Sequence, residues 1–201
     1  MTLAPAQQRQ AQKLAQRRKE LNGWITAEEF EVVPEPEGCG KRELVEGKIV
    51  EMPPPGFDHG SRQSRVLRRL SDFVDQHDLG EVVVEVGFIL ARDPDVVRLP
   101  DVAFVPKNRV PSGEDRARNF AGAPTLAVEV VSPSDRSDDV ESKVDEYLAA
   151  GTKVVWIVNS RRQTVTVYRR GVAPLTLGMA DTLDSGDVLP GFSCKVSDIV
   201  G

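Results

Sequence analysis

A chain of 201 residues, 40% hydrophobic and 28% charged, suits one compact domain with an appendage and can bury a core without disulfides or a structural metal. Cys39 and Cys194 lie far apart and the histidines number only two, which excludes a zinc site and a disulfide framework and sets a cytoplasmic expectation. The net charge of −5 is uneven: residues 1–22 carry Arg9, Lys13, Arg17, Arg18 and Lys19 against Glu20, so an arm of +4 leaves −9 on the body. A body that acidic disfavours a DNA-coating protein, while a metal-dependent nuclease, whose cation offsets its own carboxylates, remains open.

In chain order, residues 5–21 have helix propensity but only Leu14 and Leu21 as large apolar residues, so residues 1–22 read as a basic polar arm, frayed or helical, and 23–201 as the domain. Thr26-Ala-Glu-Glu-Phe predicts a short capped helix, followed by a Pro34–Gly40 loop. Glu43 to Met52 reads as a hairpin turning at Glu46-Gly47 and ended by Pro53-Pro54-Pro55-Gly56. A helix follows with Asp58 as N-cap. Its apolar stripe is Val66, Leu67, Leu70, Phe73 and Val74, and Arg62, Arg65 and Arg69 share another, solvated face. Beyond Gly80 the alternation of Val82, Val84, Val86, Phe88 and Leu90 predicts one strand with Glu85 on its other face. Val97 to Val105 predicts a second, interrupted by Pro100 and Asp101.

Residues 106–123 read as a long surface loop, then Thr125–Val131 as a strand. Ser132-Pro133-Ser134-Asp135 is a turn into a helix from about Asp138 to Ala150, stopped by Gly151. Lys153–Val158 predicts a strand covered on both faces, with Gln163–Arg169 as its hairpin partner, and residues 181–200 add short β pieces. The longest strongly apolar stretch, Val154 to Val158, is too short for a bilayer span, and the first residues are rich in Gln and Arg instead of forming an apolar h-region, so neither membrane insertion nor secretion is expected.

The chemistry concentrates at two acids. Glu129 interrupts the otherwise apolar Leu126-Ala-Val-Glu-Val-Val, where a carboxylate must be neutral, paired or metal-bound. Asp101, after Pro100, sits where an edge or bulged strand position points a carboxylate into a cleft; read alone it is equally a salt-bridged structural acid. Two acids on consecutive strands can share a magnesium or manganese ion, which binds through one or two carboxylates and keeps several waters. Lys143 lies at the border of the Val140, Val144, Tyr147 and Leu148 stripe, one turn from Asp139 and from Tyr147. It can pair with Asp139 or snorkel its ammonium towards the two acids.

These residues resemble the PD-(D/E)XK nuclease superfamily and, within it, the Uma-two family of restriction-endonuclease-like proteins. The resemblance spans about residues 24–200 and rests on collinear stretches: Glu43-Leu-Val-Glu-Gly, Met52-Pro-Pro-Pro-Gly-Phe-Asp-His-Gly, Leu99-Pro-Asp-Val, Val128-Glu-Val-Val-Ser-Pro-Ser, Lys143-Val-Asp-Glu-Tyr and Leu189-Pro-Gly-Phe. It implies an α/β (α+β) restriction-endonuclease-like core, a central mixed β-sheet flanked by helices, in a single domain. It implies Asp101 and Glu129 as ligands of Mg2+ or Mn2+, Glu46 as a third acid near the cation, and Lys143 as the catalytic lysine. The superfamily's usual lysine position, two residues after the second acid, holds Val131, and Lys143 matches a migrated position on the next helix. His59 also matches a family position, and Asp139 and Tyr147 are accessory candidates.

The expected function is therefore metal-dependent hydrolysis of nucleic-acid phosphodiester bonds, with DNA as the expected substrate, no membrane partner, and a homodimer from the need to cut two strands. The alternative keeps the fold without the chemistry, as a silent nuclease-like module for DNA binding or protein interaction. The missing apolar stripe in the arm carries its own prediction: a chain beginning at Gly23 keeps the full-length melting midpoint, and a loss of several degrees in a thermal scan shows that the arm packs on the body.

Overall fold

A computed structural model describes residues 23–34, 38, 40–132 and 135–201. The arm expected over 1–22, Cys39, and parts of the Pro34–Gly40 loop and of the 132–135 turn lie outside the described residues.

Helix α1 (Ala27–Val32) starts as the sequence predicts. The Thr26 hydroxyl accepts from the Glu29 N–H and the Glu29 carboxylate accepts from the Thr26 N–H, a reciprocal cap that satisfies two otherwise orphaned donors. Strands β1 (Lys41–Val45) and β2 (Lys48–Met52) form the expected hairpin, with Glu46 and Gly47 both at positive φ, +48° and +72°. Paired positive φ values are what a tight two-residue hairpin loop requires. Helix α2 (Phe57–Gln76) follows the prolines, but its N-cap is Gly56 and not Asp58. Asp58 lies exposed in the first turn, where its charge favours the positive end of the helix dipole.

The single strand expected over residues 82–90 is two. Strand β3 (Gly80–Val83) and strand β4 (Phe88–Ala91) flank a break at Glu85, whose φ is +54° and whose N–H donates to the Pro100 carbonyl. Period-two alternation runs through this break because a kink of even length leaves the apolar positions in phase. The second expected strand likewise divides at Pro100-Asp101 into β5 (Val96–Arg98) and β6 (Val102–Pro106). The segment that reads as loop over 106–123 contains two 3-10 turns, Lys107–Arg109 and Gly113–Ala117, and strand β7 (Phe120–Ala121).

Strand β8 (Leu126–Val131), helix α3 (Ser137–Ala149), strand β9 (Val154–Asn159) and strand β10 (Thr164–Arg169) match their expected places. Strand β11 (Val172–Gly178) has no counterpart among the expected elements. Pro174 argues against a strand, and the structure accommodates it by placing β11 at the sheet edge. Strands β12 (Thr182–Asp184) and β13 (Ser193–Lys195) pair, and helix α4 (Ser197–Val200) ends the chain.

The fold is mixed α/β. A six-stranded sheet in the order β11-β10-β9-β8-β6-β3 forms its centre, parallel at β8–β9 and otherwise antiparallel. On one face, Val66, Leu70 and Val74 of α2 pack on Val128, Trp156 and Val158; on the other, Val144 and Tyr147 of α3 pack on Ala127, Val155 and Ile157. A second sheet, β2-β1-β5-β4-β7, joins this α3 side, with Phe88 packed on Ala103 and Val105. Because β4–β5–β6 passes from one sheet to the other at Leu99-Pro100-Asp101, this three-residue link sits on the seam between them.

Two glycines respond oppositely to alanine. At Gly80, φ is +152° and a Cβ would stand 2.1 Å from the Val105 carbonyl oxygen, a backbone atom of the paired strand. Gly80→Ala is expected to lower unfolding free energy by more than about 1 kcal/mol. A Cβ on Gly60, inside α2, meets nothing within 4 Å, so Gly60→Ala should raise it by about 0.5–1 kcal/mol. Urea unfolding of both variants measures the pair, and equal effects would contradict the packing at Gly80.

Candidate active site

The site is assembled from five elements and the link between β5 and β6. Alternation along β1 puts Lys41 and Glu43 on one face, and β5 ends at Arg98. The β6–β8 register pairs Val102 with Val128; continued by one pair it sets Asp101 opposite Glu129. Across them lies α3, whose Lys143, Glu146 and Tyr147 at i, i+3 and i+4 share one side. The first turns of α2 bring His59 and Gln63, also four residues apart.

Asp101 is buried and every contact on it is a donor. Its Oδ1 is 3.0 Å from Lys41 Nζ, its Oδ2 is 3.1 Å from His59 Nε2 and accepts from the Val130 N–H at 2.7 Å, and its carbonyl accepts from Gln63 at 2.9 Å. Burial pushes the Asp101 carboxyl up, but the His59 hydrogen bond and the Lys41 ammonium outweigh it and hold the carboxyl down at about 2. His59 is pushed up in turn, by its bond to Asp101 against the opposing effect of burial.

Glu129 is the opposite case. Its Oε1 accepts from the Tyr147 hydroxyl at 2.8 Å and its Oε2 is 3.5 Å from Lys143 Nζ. Burial raises its proton affinity more than Lys143 and Lys41 lower it, and Asp101 and Glu43 add like-charge repulsion, so the carboxyl sits above its usual range. Lys143 Nζ also donates to Glu43 Oε1 at 3.1 Å. Burial favours the neutral amine, yet Glu129 and Glu43 overcome it and push Lys143 above the usual lysine range. At neutral pH it is therefore an ammonium, a fixed positive charge and hydrogen-bond donor.

Behind Lys143 lies a second tier. Arg98 donates to Glu43 Oε2 at 2.8 Å and grips both oxygens of Glu146 at 2.6 and 2.7 Å, while the Leu99 N–H donates to Glu43 Oε1 at 3.2 Å. Two-pronged guanidinium–carboxylate pairing of this kind fixes orientation as well as charge.

Asp101, Glu129, Lys143, His59 and Tyr147 are thus brought together. Glu46 and Asp139 are not. Glu46 occupies the exposed hairpin turn, and the buried acid on that strand is Glu43, three residues earlier. Asp139 is exposed in the first turn of α3, and Lys143 pairs with Glu43 and Glu129 in its stead. Val131, at the superfamily's usual lysine position, packs half-buried beside the α3 face.

For a divalent cation the donor chemistry fits: Asp101 and Glu129 are hard oxygen donors at facing register positions, and magnesium binds readily through two carboxylates with waters completing its shell. Among the described residues no three acidic, histidine or cysteine side chains form a ready-made cage.

The family model described as "Putative restriction endonuclease", Uma2, matches residues 27–197. The chain belongs to the Uma2 family. A solved structure similar to it is a "putative nuclease belonging to DUF820" from Anabaena variabilis, with a TM-score of 0.76 at 23% identity, covering 88% of this chain and 97% of that one. At that identity the likeness establishes the fold. No curated protein matches the sequence. Among the described residues no helix of this Uma2 protein is long and apolar enough to cross a membrane.

Sequence reasoning missed Lys41, Glu43, Arg98, Glu146 and Gln63. A signal existed for one of them: Arg98 follows two valines in a short buried strand, a charge at the end of an apolar run. Lys41 and Glu43 flank Arg42 in a run of three charges, and Glu146 and Gln63 lie on helix surfaces rich in charge, so these four carried none.

The second tier yields a stability prediction for this Uma2 protein. Arg98→Met takes the guanidinium out of a buried network, so that Glu43 keeps Lys143 but loses its partner on Oε2, which is expected to cost about 3–5 kcal/mol. Urea unfolding at neutral pH measures it. A loss below about 1 kcal/mol would place the network's weight elsewhere.

Proposed function

We propose that this Uma2 protein is a metal-dependent endonuclease that hydrolyses phosphodiester bonds of DNA in the cytoplasm. The observation that carries the reading is Lys143: a protonated lysine from α3, held 3.1 Å from Glu43 and 3.5 Å from Glu129, beside the strand position that faces Asp101. Asp101 and Glu129 would hold Mg2+ or Mn2+, which when bound supplies Lewis-acid polarisation of the scissile phosphate and a more acidic water.

The chain's own residues do the rest. Lys143 stabilises charge on the non-bridging phosphoryl oxygens as the bond order changes, and orients the attacking water through its remaining donors. Glu43 and Arg98 are positioning residues that hold the Lys143 ammonium in place. Tyr147 keeps one Glu129 oxygen fixed, and His59 and Lys41 orient Asp101. Glu43 takes the third-acid place expected of Glu46. Cutting both strands of a duplex requires two such sites, so a homodimer is part of the proposal, and light scattering of the purified chain checks it.

One observation favours a second reading. Asp101 and Glu43 are met on both oxygens by protein donors, so the cluster balances much of its charge without a metal, as a catalytically silent binding module would. Lys143→Met separates the two. Methionine keeps the apolar stem and removes the charge, so fold and manganese binding should persist while plasmid cleavage falls at least about a hundredfold, or about 2.7 kcal/mol of transition-state stabilisation. The exposed Lys153→Met should stay within a few-fold of wild type. Equal cleavage by Lys143→Met and wild type removes Lys143 from the mechanism. No cleavage by wild type with magnesium or manganese on duplex DNA, single-stranded DNA and RNA favours the silent module.

A further inference from the structure

The face of α2 turned away from the sheet forms one wall of an open cavity of 990 Å³. Its residues there, Phe57, Gly60, Ser61, Ser64, Arg65 and Arg68, recur at i, i+3, i+4, i+7, i+8 and i+11, a continuous strip along the helix. The other wall is the Pro55-Gly56 approach and Ser197-Asp198 of α4. Arg62 and Arg69 are committed to that wall: Arg62 donates to the Gly201 carbonyl at 2.7 Å and Arg69 pairs with Asp198 at 3.3 Å.

Arg65 and Arg68 are different. Neither has an ion pair or hydrogen bond among the described residues, so two guanidinium forks, one turn apart, point their donors at solvent. At the head of the strip Phe57 is 91% exposed, an unpacked aromatic ring on a helix whose opposite face is buried in the core. Between them Ser61 and Ser64 offer hydroxyl donors, and Gly60 lacks a side chain to keep a ligand off. Guanidiniums, hydroxyls and a free aromatic face are the groups that hold a phosphodiester backbone and stack on its bases.

Reach agrees with this. Residues two apart do not share a helix face: His59 and Gln63 turn inward with the core stripe to contact Asp101, so the strip runs along the outer side of the helix whose first turns carry part of the site. From Phe57 to Arg68 the helix rises about 16 Å, the axial length of about five nucleotides of one strand. The body is strongly acidic overall, so a polyanion can approach it productively only along a locally cationic path.

We infer that this outer face of α2 is the track on which the phosphate backbone of the nucleic-acid substrate lies, with Arg65 and Arg68 on phosphates and Phe57 stacked on a base. The inference rests on the nuclease reading above. It is tested by fluorescence anisotropy of labelled duplex and single-stranded DNA with the full-length chain, in chelator and in calcium, over a salt series. Arg65→Gln/Arg68→Gln should weaken binding of both DNAs at least about tenfold and flatten the duplex log–log salt slope by about 1.8, the share of two phosphate contacts. Arg65→Lys/Arg68→Lys should retain most of the affinity. Phe57→Ala should weaken single-strand binding by about fivefold or more, and the duplex less. Lys48→Gln/Lys153→Gln, which removes the same charge from exposed positions elsewhere, should stay within about twofold.

Melting midpoints near wild type establish that the variants are folded. Unchanged affinity and slope in Arg65→Gln/Arg68→Gln, while wild type binds and cleaves DNA, overturn the track and leave the nuclease reading standing. An equal loss in the Lys48/Lys153 control reduces the effect to net charge and also overturns it. Failure of wild type to bind duplex DNA, single-stranded DNA or RNA overturns the track and the nuclease reading together.

Discussion

Arg98 joins three parts of the molecule that have no covalent reason to meet. It closes β5, reaches Glu43 on β1 beside it, and clamps Glu146 on α3, which packs on the other sheet. Taking these groups out of water is expensive, and the cost is recovered only where geometry and hydrogen bonding are good. Here each charge has an opposite charge or a backbone donor, so the arrangement is selective: any shift of α3 along the sheet strands a buried carboxylate. The seam between the sheets is thereby held in one register, and Asp101 follows three residues after Arg98 in the chain.

From that constraint the behaviour of the individual site groups follows. Glu43 is held down by Lys143, Arg98 and Lys41 against its burial, so it persists as an anion that keeps Lys143 protonated. Asp101 is likewise an anion at neutral pH, whereas Glu129, whose burial outweighs its cationic neighbours and which the other acids crowd, holds its proton more readily. A cation placed between Asp101 and Glu129 would relieve that repulsion, which gives the site a physical reason to take one. Val131 spends its position on packing with α3, and the same helix returns an ammonium to the acids.

Charge on the surface is organised on a larger scale in the same way. On this acidic body the outer face of α2 carries two guanidiniums unpaired among the described residues, Arg65 and Arg68, while the neighbouring Arg62 and Arg69 of that helix anchor the C-terminal turn. The helix therefore divides its circumference: a core stripe against the sheet, His59 and Gln63 towards Asp101, and a polar outer strip along the cavity.

What the sequence determined by itself was whatever depends on near neighbours in the chain. The Thr26 cap, the Glu46-Gly47 turn, the stripes of α2 and α3 and the buried β9 were all legible, because capping, turn chemistry and periodicity act over a few residues. Glu129 stood out for the same reason, as one charge in an apolar strand. The division of residues 82–90 and 97–105 between two sheets was not legible, since an in-phase kink leaves alternation intact and only pairing partners reveal where a strand changes sheet. Nor was the choice of Glu43 over Glu46. Both are acids of one hairpin, and what distinguishes them is that Arg98 and Lys143, 55 and 100 residues away, converge on the first and leave the second in solvent. Long-range ion pairs have no period, so tertiary structure alone decides which charges meet.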